Sequence, residues 1–231
     1  MVVFRSNDFN ISNSKQSANM RVNLEDLAKS LIIYAKSSSK NQCWDYYITK
    51  SSDNSAQWGA ICPTVIQGGF ENSITQVPNI YFNIPQSGGN AWINTEIQFK
   101  HQIEIFNSCY TRSIPKLLTT IQTASHAKIK VFERVVLEVD KRNYSWNYNT
   151  PWDNSLMPEI DVTQCTPQYM NHIFNAMQQT NPCKRPGWVK EPVFVIKYEL
   201  QPNIIISSTN VEKLFGDKVR LLAPIIDYFI M

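Results

Sequence analysis

Lys128-Ile129-Lys130-Val131-Phe132-Glu133-Arg134-Val135-Val136-Leu137-Glu138-Val139 is the most strand-like stretch of the chain. Ile129, Val131, Glu133, Val135, Leu137 and Val139 recur at the two-residue period of an extended strand. Phe132 and Val136 make the opposite face apolar too, so this strand is expected to be covered on both sides.

Upstream the same alternation returns. Trp44, Tyr46 and Ile48 alternate with Asp45, Tyr47 and Thr49, and residues 57–62 run back after a Ser-rich turn at 51–55. Residues 80–84 form a short strand between Gly68-Gly69 and Ser87-Gly88-Gly89-Asn90. Ala91, Ile93, Thr95, Ile97 and Phe99 alternate, and Ile103 and Ile105 keep the phase, which predicts a long strand or two joined near His101. Downstream, residues 193–200 and 204–207 read as strands split by Gln201-Pro202-Asn203, and residues 220–231 supply the last strand or strands.

Helical periods are fewer. Leu24, Leu27, Ala28, Leu31, Ile32 and Ala35 follow the i, i+3, i+4, i+7 rhythm behind Asn23 as a cap, with a strand over 31–35 as the competing reading. Pro115 with Leu117, Leu118 and Ile121 predicts a short helix, and Thr166-Pro167 opens another bearing Met170, Ile173, Phe174 and Met177. Asn210 caps a helix of one or two turns ending at Gly216. Because helices never alternate regularly with strands, the pattern argues against a doubly wound parallel sheet. The expected fold is mainly β with inserted helices (α+β): a β-sandwich or jelly-roll-like single domain over residues 23–231. Residues 1–22 would be an N-terminal arm making assembly contacts.

The arm over residues 5–22 is polar, rich in Asn, Ser and Gln. Both chain ends are apolar, Met1-Val2-Val3-Phe4 and Ala223-Pro224-Ile225-Ile226-Asp227-Tyr228-Phe229-Ile230-Met231. Each end either adds an edge strand to its own domain or docks on a neighbouring subunit, since exposed they would form a sticky patch.

Charged residues are only 18% of the 231, and the net charge of +3 does not advertise nucleic acid or an anionic membrane. No catalytic signature appears. There is no Cys-x-x-Cys, and His101, His126 and His172 are scattered, so no metal site is expected. There is no Gly-x-Ser-x-Gly, no Gly-x-Gly-x-x-Gly and no Walker A run. Glu96, Glu104, Glu133 and Glu138 read as solvated strand positions. The chain is therefore not expected to be an enzyme. Cys43, Cys62, Cys109, Cys165 and Cys183 are odd in number and widely spaced, which fits buried thiols in a reducing compartment. No leader-like start and no 18-residue apolar run is present, so no membrane partner is expected.

Two segments suit binding. Lys141-Arg142 leads into Tyr144, Trp146, Tyr148 and Trp152, and Lys184-Arg185-Pro186-Gly187-Trp188-Val189-Lys190 again mixes cations with rings. With so small a net charge, protein contact is the stronger reading and nucleic acid is disfavoured as a partner.

Asn7-Asp8-Phe9 in the arm, Ser30-Leu31-Ile32-Ile33-Tyr34-Ala35 with its Ser-rich turn, and Tyr148-Asn149-Thr150-Pro151-Trp152-Asp153 carry a family likeness. In these segments the chain resembles the polyhedrins, the occlusion-body matrix proteins of insect cytoplasmic-polyhedrosis viruses. It departs from them at residues 24–35, which read as a helix where the resemblance wants a strand. The resemblance implies a β-sandwich with a projecting N-terminal helix and dense lattice contacts. It implies crystals in the host cell cytoplasm, with virus particles and further copies of the chain as partners. It implies no required cofactor, although trapped nucleotides would suit it, and it assigns no residue to them. The expected function is thus a structural, self-assembling occlusion-body matrix protein. The alternatives are a viral capsid jelly roll and a single-strand nucleic-acid binder using Arg142, Trp146 and Trp152.

Overall fold

Helix α1 (Ser14–Ser38) buries Met20, Leu24, Leu27, Ala28, Leu31 and Ala35 along one stripe while Ile33 stays 69% exposed. That stripe, every third or fourth residue, outweighs the β-propensity of Leu31-Ile32-Ile33-Tyr34. The computed structural model describes residues 2–9, 14–48, 58–64, 78–84, 89–97, 100–137, 154–178, 181–182 and 188–230. Where described, the expected arm is ordered secondary structure: a 3-10 turn at Ser6–Phe9 and then the opening turns of α1.

The other elements, in chain order, are β1 (Trp44–Ile48), β2 (Trp58–Pro63), β3 (Asn79–Asn83), β4 (Ala91–Ile97), α2 (Lys100–Arg112), α3 (Ile114–Gln122) and β5 (Lys128–Leu137). There follow β6 (Asn154–Ser155), β7 (Ile160–Asp161), α4 (Pro167–Met177), β8 (Asn181–Pro182), β9 (Trp188–Leu200), α5 (Pro202–Ser207) and α6 (Val211–Ile230). The fold is mixed α+β, with antiparallel strand pairing and six helices among the described residues. The chain divides into two units, one made of Met1–Thr95 with Lys197–Met231 and the other of Glu96–Ile196.

In the first unit the strands run in the order β1, β2, β3, β4 and then the C-terminal end of β9. Tyr46 pairs with Ile61 and Ile61 with Ile80, while Ile48 pairs with Gly59 and Gly59 with Phe82, so these side chains share one face. Helices α1 and α6 pack on each other and on these strands. Gly59 is required there, because a Cβ would meet Phe82 Cζ at 2.5 Å and Ile48 Cδ1 at 2.6 Å. Between the helices, Asp227 of α6 is 5% exposed and accepts from Ser39 Oγ and from the Lys40 amide, both at 2.6 Å. A carboxylate thus satisfies the chain where it leaves α1.

In the second unit β5 lies between β9 and β6, with β7 also on β5 and β8 on β9. The β5 strand is buried on both faces in its described part: Ile129 and Val131 on one, Phe132 on the other. Ser113 caps α3 through the Lys116 amide and Thr166 caps α4 through the Tyr169 amide, each with proline in the first turn. Leu117, Ile121, Met170 and Ile173 form the buried stripes of these helices.

Three stretches expected as strand are helical. Ile103 and Ile105 lie in α2, where Ile103, Phe106 and Cys109 recur every third residue and the last two are buried. Residues 204–207 lie in α5, which Pro202 opens, with only Ile205 buried. Residues 220–230 continue α6: Asn210 caps it through Lys213, but the helix runs past Gly216 and Pro224 to Ile230. Gly216 is no terminator. A Cβ there would meet Tyr34 Cγ, Cδ1 and Cδ2 at 2.5 Å, so glycine lets α6 approach α1.

Both apolar ends pack within the first unit. Val2 and Phe4 are 3% and 1% exposed and the Val2 amide donates to Glu212 Oε1 at 2.7 Å, while Ile225, Ile226 and Phe229 are buried on α6. Neither end is an edge strand.

Candidate functional site

The loop residues Lys141, Arg142, Tyr144, Trp146, Tyr148 and Trp152 lie outside the described residues, as do Lys184 and Arg185. Of the second loop, Lys190 is described, and its Nζ is 3.3 Å from Glu133 Oε2 in a pair whose side chains are 29% and 8% exposed. Lys190 is therefore an internal partner of a buried acid. Glu133 and Glu96 are buried, contrary to their reading as solvated positions; Glu104 is exposed but on α2, and Glu138 is not described. His126 and His172 are exposed and share no cluster, and Cys109 is buried. Among the described residues no three His, Cys, Asp or Glu side chains group to hold a metal ion. Among them, too, no helix is long and apolar enough to cross a membrane.

The structure instead brings together a polar, aromatic sheet face in the first unit, opposite the face that carries α1 and α6. Register places it in rows: Trp58 beside Asn83, Tyr47 beside Ala60 beside Tyr81, and Asp45 beside Cys62. Trp58 stands between two tyrosines, its ring 5.5 Å from Tyr47 and 5.6 Å from Tyr81. Small Ala60 leaves the space that these rings fill. Asn79 Nδ2 donates to Tyr81 Oη at 3.4 Å, and Asn83 Oδ1 accepts from the Trp92 amide at 3.0 Å. Burial and the nearby Asp45 charge push the Cys62 thiol up to about 12. The gradient across the face is simple: Asn79, Tyr81 and Cys62 are buried, whereas Asp45, Tyr47, Trp58 and Asn83 are half-buried.

At the end of β9, Tyr198 lies under Lys218 of α6, 4.8 Å from its ring, which turns Lys197 and Glu199 to the other face. Those two are 2.6 Å apart. Sequence reading took β1–β4 only as strands. The signal for more was the identity of the outward residues: Asn79, Tyr81 and Asn83 alternate with Ile80, Phe82 and Ile84.

A second surface is apolar. Val3, Val22, Ile204 and Ile206 are 51%, 56%, 45% and 37% exposed. The Asn23 side chain donates to the Val3 carbonyl at 3.1 Å, and the Ser6–Phe9 turn touches both α1 and α5. The elements that carry these four side chains therefore meet through that turn, with Ile204 and Ile206 on the two flanks of buried Ile205 and exposed Arg5 and Arg21 beside Val3 and Val22 in the chain. Comparison with protein-family models, with curated proteins and with solved structures finds no match.

Proposed function

We propose that this chain is a structural, self-assembling viral protein, the matrix of occlusion bodies that crystallise in the host cell cytoplasm around virus particles. The observation that supports it is the exposure of the apolar side chains Val3, Val22, Ile204 and Ile206 on elements linked through the Ser6–Phe9 turn. Large apolar side chains left exposed suit a contact surface, and further copies of the chain are the partner this reading supplies. The 18% charged content lowers the repulsion that dense packing would meet. A β-sandwich or jelly-roll-like arrangement of the strands goes with this reading, and a viral capsid jelly roll is the runner-up.

Expression of the full chain in insect cells separates these outcomes. Visible intracellular crystals support the matrix reading, and hollow shells would replace it with a capsid. The variant Ile204→Asp/Ile206→Asp changes two exposed side chains and should abolish crystals while leaving the far-ultraviolet circular dichroism unchanged. A chain that stays monomeric by sedimentation at millimolar concentration refutes self-assembly. Crystals that dissolve in high salt at neutral pH yet survive strong alkali also count against it, because contacts poor in ion pairs should resist salt and yield as tyrosines and lysines titrate.

A further inference from the structure

Hydrogen bonding fixes which way the peptides of β1 face. The strand ends the sheet order and pairs with β2 alone among the described residues. Just before it, the Thr64 amide donates to the Cys43 carbonyl at 2.9 Å, which makes Cys43 and Thr64 a hydrogen-bonded pair. Alternation then turns the peptide groups of Asp45 and Tyr47 toward Cys62 and Ala60, and those of Trp44, Tyr46 and Ile48 away from β2. Such an outward row is a template on which another chain can extend the sheet.

The middle donor of that row is already taken. The Tyr46 amide donates to Asp45 Oδ1 at 2.8 Å. On the helix-covered side Lys29 Nζ stands 6.0 Å from the centre of the Tyr46 ring, so a charge flanks the same position on each face. We infer that Asp45 guards this edge: its carboxylate is an inhibitory contact that keeps a second copy of the chain from pairing along β1.

One carboxylate acts in two ways. It holds the donor that an incoming carbonyl needs, and it charges the strand where a copy would lie. An antiparallel pair of β1 strands centred on Tyr46 joins all three outward residues, with Trp44 meeting Ile48 of the copy. That register sets the two Asp45 side chains diagonally across the new seam, roughly 7–8 Å apart, where like charges repel. The repulsion is aimed at a copy in particular, since only a copy brings a second Asp45. Val3, Val22, Ile204 and Ile206 lie on other elements, so the guard stands or falls without self-assembly through them.

The test uses the intact, reduced chain at micromolar concentration, with sedimentation velocity for association and amide hydrogen exchange by NMR for the edge itself. In the parent the Tyr46 amide should exchange at least tenfold more slowly than those of Trp44 and Ile48. Asp45→Ala should sediment as dimers or larger species, with all three amides protected. Asp45→Asn keeps an acceptor and loses the charge, so its association should fall between the two. Adding Tyr46→Pro to Asp45→Ala deletes the middle outward donor without touching the bonds to β2, and should restore the parent's sedimentation. Asp217→Ala, which removes an acid from α6, should leave sedimentation unchanged. Should Asp45→Ala lose the parent's circular dichroism, Asp45→Asn and the parent's exchange rates decide. Three results overturn the guard: an Asp45→Ala protein that sediments as the parent does, association that Tyr46→Pro fails to reverse, or a parent Tyr46 amide no slower than its neighbours.

Discussion

Gly216→Ala tests how closely α1 and α6 are packed. In an exposed helix interior this change adds about 1 kcal/mol of stability. Here the new Cβ falls 2.5 Å from Tyr34 Cγ, Cδ1 and Cδ2. Because Cγ is the root of the ring, the ring cannot swing aside within its rotamer, and the helices must separate or Tyr34 must leave its well. Overpacking of this kind costs roughly 1–3 kcal/mol, and an off-rotamer tyrosine adds about 1 kcal/mol. The Arg220 guanidinium, 4.7 Å from the Tyr34 ring, loses its seat as well. The net expectation is a loss of about 2 kcal/mol, which at a urea slope near 3 kcal/mol/M lowers the unfolding midpoint by roughly 0.7 M. With the ring removed the sign should reverse: Tyr34→Ala/Gly216→Ala should be more stable than Tyr34→Ala by about 0.5–1 kcal/mol. Equilibrium urea unfolding followed by circular dichroism measures all four proteins. A Gly216→Ala protein as stable as the parent refutes the close approach.

Asp227→Ala strands Ser39 Oγ and the Lys40 amide, and the loss of two short hydrogen bonds to a carboxylate should cost about 3 kcal/mol, lowering Tm by roughly 6–12 °C; an unchanged melt refutes it. Thr95→Val should stabilise by about 1 kcal/mol, since Thr95 Oγ1 is buried without a hydrogen-bond partner among the described residues; a destabilised variant shows that the hydroxyl is satisfied. Iodoacetamide at pH 8 should label exposed Cys43 in the native protein, and Cys62 and Cys165 only after unfolding, as peptide mass mapping would reveal. Burial pushes those two thiols to about 12 and about 11 from an ordinary 9.0, so both stay protonated in the fold. Their stabilising contribution is whole below pH 9 and is lost as pH rises toward 12, because the unfolded thiols ionise first. Cys62→Ala should flatten part of that alkaline decline, and an unchanged slope excludes Cys62 as a source.

Legibility in the sequence followed the length of the period. In α1, six apolar residues at helical spacing outweighed a β-prone tetrapeptide; in β1, β4 and β5 the two-residue alternation located the strands, and flanking turn residues located β2, β3 and β9. The misreadings share a cause. Ile103 and Ile105, the run Ile204-Ile205-Ile206, and Ile225-Ile226 with Tyr228-Phe229-Ile230 are short β-branched or aromatic clusters, whose intrinsic preference is overridden when every third or fourth position finds a buried neighbour. Pro224 disguised α6 further, since an interior proline ordinarily ends a helix. Gly216 reads as a stop when its reason is Tyr34, 182 positions upstream, which no local pattern carries. The polar sheet face stayed hidden for a related reason: its rows join residues of separate strands, and only register aligns Tyr47, Ala60 and Tyr81.

The bond from Ser39 to Asp227 closes a loop of 188 positions. On a ribosome adding about 5–20 residues per second, α1 emerges and then waits about 10–40 s for the helix that covers it. For that interval Leu24, Leu27 and Leu31 have no α6 to bury them. Residues 96–196, the whole second unit, lie inside the loop and are made before α6 exists. Birth order therefore lets α1 meet β1 and β2 early, while its α6-facing side is covered only at the end.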